Sequence, residues 1–199
     1  CERCREGMYT SCLNYGKNYG DVNKGHRANG FTTDGGFLEY AVNNVNTLVH
    51  VADDMSDEEA TLIVTAGTAM YGLDVTAGLI AGQSVVVMGP GPIGLMGVGV
   101  AKALGASEVI LTGTRDNRLE IGKKLGADYT INVTKEDAVQ KVREYTNGGA
   151  HYVLECSGAP NAINDAAMML RRGGRICLAA FPGEPTTVDV ANLVRNNIY

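Results

Sequence analysis

The sequence predicts an α/β fold, a parallel sheet doubly wound with helices on both faces, preceded by a smaller β-rich segment. Three observations carry that expectation. Residues 84–95 read Ser-Val-Val-Val-Met-Gly-Pro-Gly-Pro-Ile-Gly-Leu, an apolar run that stops in glycines and then takes up helical spacing. Beyond it, apolar runs of strand length alternate with segments of helix length, the order that builds a parallel sheet covered on both sides. Ahead of it lies a stretch of different character, rich in Asn, Gly and charge and holding three of the five cysteines.

The glycine-rich turn comes first because the rest is arranged around it. Gly89, Gly91 and Gly94 fit G-x-G-x-x-G: one glycine for a tight turn, one to let a pyrophosphate approach the backbone, one for close packing of helix on strand. The run Val85-Val86-Val87 reads as a buried strand, and Ile93 to Leu104 as a helix stopped by Gly105. The amides that open such a helix carry partial positive charge and favour an anion. The chain contains 26 Gly, so the motif draws its weight from this strand–turn–helix context, which is that of a Rossmann dinucleotide-binding unit.

A chain of 199 residues that is 45% hydrophobic and 20% charged can bury a core in one or two domains. The net charge of -5, with no run of lysines or arginines, argues against a nucleic-acid or membrane-surface partner. No apolar stretch is long enough to span a bilayer and no secretory signal is visible, so a reducing, cytoplasmic setting is expected. The chain starts at Cys1 and ends at Ile198-Tyr199 in what reads as the opening of a strand, which suggests a fragment.

Cys1, Cys4 and Cys12 are spaced C-x2-C-x7-C. Clustered thiolates suit tetrahedral zinc, which takes four ligands; a reduced cluster, or a disulfide with one thiol left over, is the alternative. From Phe31 to Val51, after the turn Asp34-Gly35-Gly36, apolar residues alternate as in strands. Ser56-Asp57-Glu58-Glu59 is a capping box opening a helix to about Asp74.

After the glycine turn the expected elements are a strand at Val109–Thr112, a helix at Asn117–Leu125 closed by Gly126, and a strand at Tyr129–Val133. A helix capped by Thr134 then runs to Tyr145, followed by a strand at Tyr152–Cys156, a helix at Asn161–Leu170 and a strand at Arg175–Ala180. With the start of a sixth strand at Ile198, this approaches a full dinucleotide fold. The expected division is residues 1–60 and 61–199, the second part cut at its sixth strand.

These residues together resemble a family, the zinc-containing medium-chain dehydrogenases, which include alcohol, sorbitol or iditol and threonine dehydrogenases. The resemblance covers the whole chain. It rests on the cysteine spacing, on Asp34-Gly35-Gly36-Phe37-Leu38-Glu39-Tyr40, on Gly89–Leu95, on Lys123-Lys124-Leu125-Gly126-Ala127-Asp128 and on Glu155-Cys156-Ser157-Gly158. It implies that residues 1–60 belong to a GroES-like catalytic domain. It implies too that Cys1, Cys4 and Cys12 are three of four structural-zinc ligands, the other lying ahead of Cys1. The ligands of the family's catalytic zinc would lie upstream, with a third near Val64-Thr65, where Thr65 is a poor donor. No catalytic constellation is therefore expected within the chain, and His26, His50 and His151 do not supply one. The implied activity is hydride transfer between a small alcohol or polyol and a nicotinamide cofactor. The cut sixth strand suggests an edge used for pairing, so a homo-oligomer is expected when the protein is intact. A zinc-free quinone or enoyl reductase, or a nucleotide-binding module without chemistry, is the alternative.

At the end of the second strand, folds selective for NAD place an acid that binds the adenosine ribose. Here the sequence is Thr112-Gly113-Thr114-Arg115-Asp116, and in the alignment the resemblance suggests, Gly113 takes the acid's place. With no carboxylate there, Thr114, Arg115 and Arg118 can receive a 2′-phosphate, which favours NADP over NAD. Asp116 could displace into the acid's role, but is expected to cap the following helix. By the same resemblance Ile93, after Pro92, backs the nicotinamide ring; anchoring the helix is its other reading. Cys156 and Cys177 are expected to be inert core thiols.

Overall fold

The computed structural model describes residues 2–8, 35–43, 45 and 48–199, with the backbone alone at Cys4. By backbone contacts the chain divides into two compact units, Cys1–Asp53 and Asp54–Tyr199.

In the first unit the described residues form one short helix, α1 (Glu2–Arg5). The strands expected within Phe31–Val51 are not seen in its described part: residues 35–43 are bends and irregular chain. Phe37 is 107% exposed and Val42 102%. An alternating pattern becomes a strand only when a neighbouring backbone takes up its amides and a second layer covers its apolar face. Neither is supplied among the described residues. Cys1 and Cys12 lie outside the described residues, as does the side chain of Cys4.

In the second unit, five parallel strands lie in the order β3-β2-β1-β4-β5. They are β1 (Val85–Met88), β2 (Val109–Gly113), β3 (Tyr129–Asn132), β4 (Ala150–Glu155) and β5 (Leu170–Leu178). Beyond β5, Tyr199 accepts from the Ile176 amide at 2.7 Å and donates to the Gly174 carbonyl at 3.1 Å, the slanted pattern of a parallel neighbour. The expected opening of a sixth strand is therefore on the outer edge of β5.

Side chains alternate across the sheet and give it two cores. Val85, Val87, Val109, Leu111, Tyr152 and Leu154 point to one side. That side is covered by α3 (Ile63–Met70), α4 (Pro92–Ala103) and α5 (Asp116–Lys124). Val86, Met88, Ile110, Ile131 and Val153 point to the other, under α6 (Ala138–Tyr145) and α7 (Ala162–Met169). Val85, Val86 and Val87 are all fully buried, as a central strand covered on both faces requires. Gly105 and Gly126, with φ of 85° and 109°, close α4 and α5 in the left-handed conformation that glycine adopts at little cost.

The helix expected from Ser56 to Asp74 is broken. The capping box is present on a short α2 (Asp57–Ala60), with the Ser56 amide donating to Glu59 Oε2 at 2.9 Å and the Glu59 amide to Ser56 Oγ at 3.2 Å. After α3 the chain widens into a π-turn over Tyr71–Val75. There the Gly72 carbonyl accepts from the Tyr152 hydroxyl at 2.7 Å and the Thr76 hydroxyl at 2.8 Å. A buried tyrosine that must satisfy its hydroxyl thus takes a carbonyl from the helix, a tertiary demand that periodicity does not carry. Likewise α6 starts at Ala138 on an Asp137 cap, the Gln140 amide donating to Asp137 Oδ1 at 3.0 Å. Thr134 does not cap it.

Candidate nucleotide-binding site

The carboxyl ends of β1, β2 and β4 open onto a cleft of about 570 Å³. Its position is the one where ligands bind in open parallel sheets, beside the strand at which the order reverses. Gly89, Gly91, Gly113, Thr114, Arg115 and Arg118 all line it, so six of the nine positions read from sequence as cofactor-binding converge on one surface. Pro92, Ile93 and Gly94 are not in its wall. Pro92 is the first residue of α4, where a missing amide hydrogen costs nothing. Ile93 is half-buried.

The three motif glycines differ in what demands them. Gly89 has φ of 93°, and a Cβ on it would lie 2.8 Å from Ser157 Cα. A Cβ on Gly94 would lie 2.0 Å from the Gly89 carbonyl oxygen. Protein packing alone explains both. Around a Cβ on Gly91, by contrast, nothing stands within 4 Å. Gly91 is the N-cap of α4 in extended conformation, which any residue adopts, so packing among the described residues does not demand its smallness, and the space before the opening amides of α4 is free for a phosphate group.

The turn after β4 braces the first glycine. Glu155, 3% exposed, accepts at Oε1 from the Ser157 amide at 2.6 Å, the Ser157 hydroxyl at 2.5 Å and the Gly158 amide at 3.0 Å. A buried carboxylate with three donors is well satisfied, and it fixes the backbone against which Gly89 packs. The Glu155-Cys156-Ser157-Gly158 motif therefore supports the phosphate turn. Cys156 lines the cleft, but burial pushes its thiol up to about 12, so it stays protonated and unreactive.

At the end of β2, Gly113 is buried, and a Cβ there would meet Pro90 Cδ at 2.4 Å and Cγ at 2.6 Å. Asp116 is not the N-cap of α5, contrary to the expectation. Arg115 holds that place with extended backbone and no side-chain cap, and Asp116 is the first helical residue. Its carboxylate is drawn away by tertiary partners: Oδ1 accepts from Asn132 Nδ2 at 2.6 Å and Oδ2 from Lys135 Nζ at 2.7 Å. Lys135 first and Asn132 second hold the Asp116 carboxyl below the usual carboxylate range. Among the described residues neither Arg115 nor Arg118 has an ion-pair partner, so two exposed guanidiniums face the cleft uncommitted. Asn132, Lys135 and Pro90 escaped the sequence reading. A polar Asn ending an apolar strand was the one available signal.

The sheet order, the glycine turn and the cleft at the strand ends are those of the nucleotide-binding α/β fold class. The sequence profile of zinc-binding dehydrogenases matches residues 92–199, and the chain belongs to that family. It is 39% identical over 98% of its length to L-threonine 3-dehydrogenase of Pyrococcus horikoshii, covering 52% of that protein. It is 34% identical over 92% of its length to sorbitol dehydrogenase of Bacillus subtilis, covering 49% of it. The chain thus spans about half the length of the curated relatives it matches. Among solved structures, a zinc-binding dehydrogenase from Sinorhizobium meliloti 1021 bound to NADP superposes with a TM-score of 0.84 at 25% identity, over 100% of this chain and 56% of that one. Among the described residues no group of His, Cys, Asp and Glu is placed to hold a metal ion, and no helix is long and apolar enough to cross a membrane.

Proposed function

We propose that this chain is the cofactor-binding half of a cytoplasmic oxidoreductase that moves hydride between a small alcohol, polyol or threonine-like secondary alcohol and NADP(H), in an intact protein that forms homo-oligomers. One observation carries the reading: Gly91 alone among the motif glycines faces open space, in the wall of the cleft that Gly89, Gly113, Thr114, Arg115 and Arg118 also line. When bound, the nicotinamide supplies the hydride acceptor or donor. The residues of this chain do the rest of the binding work. The α4 amino terminus and Gly91 receive the pyrophosphate, Gly89 and the braced turn after β4 hold that backbone, and Thr114, Arg115 and Arg118 take the adenosine end. Cys1, Cys4 and Cys12 remain the proposed ligands of a structural zinc. The relatives' names support the substrate class.

Support for NADP over NAD comes from Gly113 without a side chain, Asp116 occupied elsewhere, and two uncommitted guanidiniums in the cleft wall. A fluorescence titration of the chain with NADPH and NADH, at low and high salt, tests it. NADPH is expected to bind about tenfold more tightly, worth ~1.4 kcal/mol, with Arg115→Ala erasing most of the gap and salt weakening NADPH the more. Equal or tighter NADH binding gives the cofactor to NAD. Binding of neither to a folded chain takes away the main support for cofactor binding by this chain.

Restoring an acid is expected to fail on its own. Gly113→Asp drives a side chain into Pro90, at a cost of about 2 kcal/mol of stability, and leaves NADH affinity unimproved. Adding Pro90→Ala removes Cγ and Cδ and should release both penalties. Melting curves and NADH titrations of the single and double variants check this; tighter NADH binding by the single variant shows that Pro90 is no obstacle.

A further inference from the structure

We infer that Asn132 and Lys135 form a clamp that withholds Asp116 from the nucleotide, and that this clamp sets the preference for a 2′-phosphorylated cofactor; the inference rests on the NADP reading above. Asp116 follows Arg115 directly and precedes Arg118 by less than a helical turn. Both arginines line the cleft and Asp116 does not.

The clamp is built from the next βα turn. Asn132 ends the edge strand β3, pairs in register with Gly113, and is 7% exposed. Its Nδ2 donates to Asp116 Oδ1 at 2.6 Å and lies 3.5 Å from the Thr114 carbonyl, while its Oδ1 accepts from the Thr134 amide at 3.0 Å and hydroxyl at 2.7 Å. The orientation of this amide has no rival. Turned over, it would set its oxygen against a carboxylate and its NH2 group against a backbone N–H. Lys135 Nζ closes the other carboxylate oxygen at 2.7 Å. The backbone ties the two turns together as well, through the Val133 amide to the Gly113 carbonyl at 3.0 Å.

The two partners act differently. The Asp116–Lys135 pair is exposed, 61% and 62% by side chain, and an exposed ion pair alone holds a side chain weakly. The buried Asn132 amide supplies the fixed point. Lys135 supplies the charge: it neutralises the one carboxylate of the segment Thr112–Arg118, which would otherwise oppose a 2′-phosphate and remain available to ribose hydroxyls. Cofactor preference then depends on two positioning residues outside the segment that meets the ribose.

The test is a double-mutant cycle on the chain, titrated with NADPH and NADH, with melting curves to confirm folding. Lys135→Gln is expected to lower the NADPH:NADH preference about fivefold, mostly through weaker NADPH binding. Lys135→Arg should restore it. Asp116→Asn added to Lys135→Gln should return the preference to near the wild-type value, because the charge that Lys135 silences is gone. Asn132→Ala should shift the preference in the same direction as Lys135→Gln, again only while Asp116 is present. If Lys135→Gln shifts the preference equally with and without Asp116, Lys135 meets the phosphate directly and the clamp is overturned. No shift overturns it also. Should the wild-type chain prefer NADH, the NADP reading falls separately. Asp116→Asn then decides the clamp: an unaltered preference keeps the acid withheld, and a lost preference makes Asp116 the ribose ligand.

Discussion

Gly94→Ala is expected to lower the stability of the Asp54–Tyr199 unit by about 3 kcal/mol, the upper range for overpacking, and its melting temperature by roughly 6–12 °C. The added methyl would stand 2.0 Å from the Gly89 carbonyl oxygen, with Val87 Cγ1 at 3.4 Å on the other side. Neither neighbour can retreat. Gly89 is held by its amide on the Thr112 carbonyl at 2.9 Å and by the braced turn at Ser157, and Val87 is fully buried in the central strand. The amino end of α4 has to lift from the sheet, and the phosphate site goes with it. Circular dichroism melts and NADPH titration should show both losses together. An unchanged melting temperature would mean that α4 rides on the sheet with more freedom than this contact allows.

Gly91→Val should separate what Gly94→Ala couples. With nothing within 4 Å of a Cβ at Gly91 and its φ at -80°, the branch point of the valine meets no close protein atom and no backbone strain. Stability is expected to fall by only about 1 kcal/mol, the cost of a poor N-cap residue in place of glycine. Dinucleotide affinity is expected to fall at least ~100-fold, about 2.7 kcal/mol, because the side chain occupies the space a pyrophosphate needs. Melting curves and titration of this variant form one experiment. Undiminished binding would move the phosphate away from Gly91 and withdraw the observation on which the proposed function rests.

How much of this was legible in the chain differs from element to element. Strand β1, helix α4 and the closing Gly105 were readable to within a residue or so, because a central parallel strand is buried on both faces and so is apolar throughout. The glycine motif was readable because backbone geometry restricts those positions to one residue type. The π-turn at Tyr71–Val75 was not, since it answers to the hydroxyl of Tyr152, 80 positions away. The strands expected within Phe31–Val51 are not seen among the described residues: alternation states which face could be buried, and a strand needs a partner that those residues do not provide.

The site divides along the same line. Local sequence determined which groups stand at the strand ends: the glycines, the missing acid at Gly113, and the cations Arg115 and Arg118. Each of these follows from a covalent neighbourhood of a few residues. Only the tertiary structure decided what Asp116 does, since its partners Asn132 and Lys135 come from the next βα unit. Only the tertiary structure, too, set Pro90 of the first turn against Gly113 of the second. Hydrogen bonds and steric contacts act over a few ångströms of space whatever their separation along the chain. The sheet makes neighbours of turns that lie far apart in sequence, and the chemistry of the cleft is settled where those turns meet.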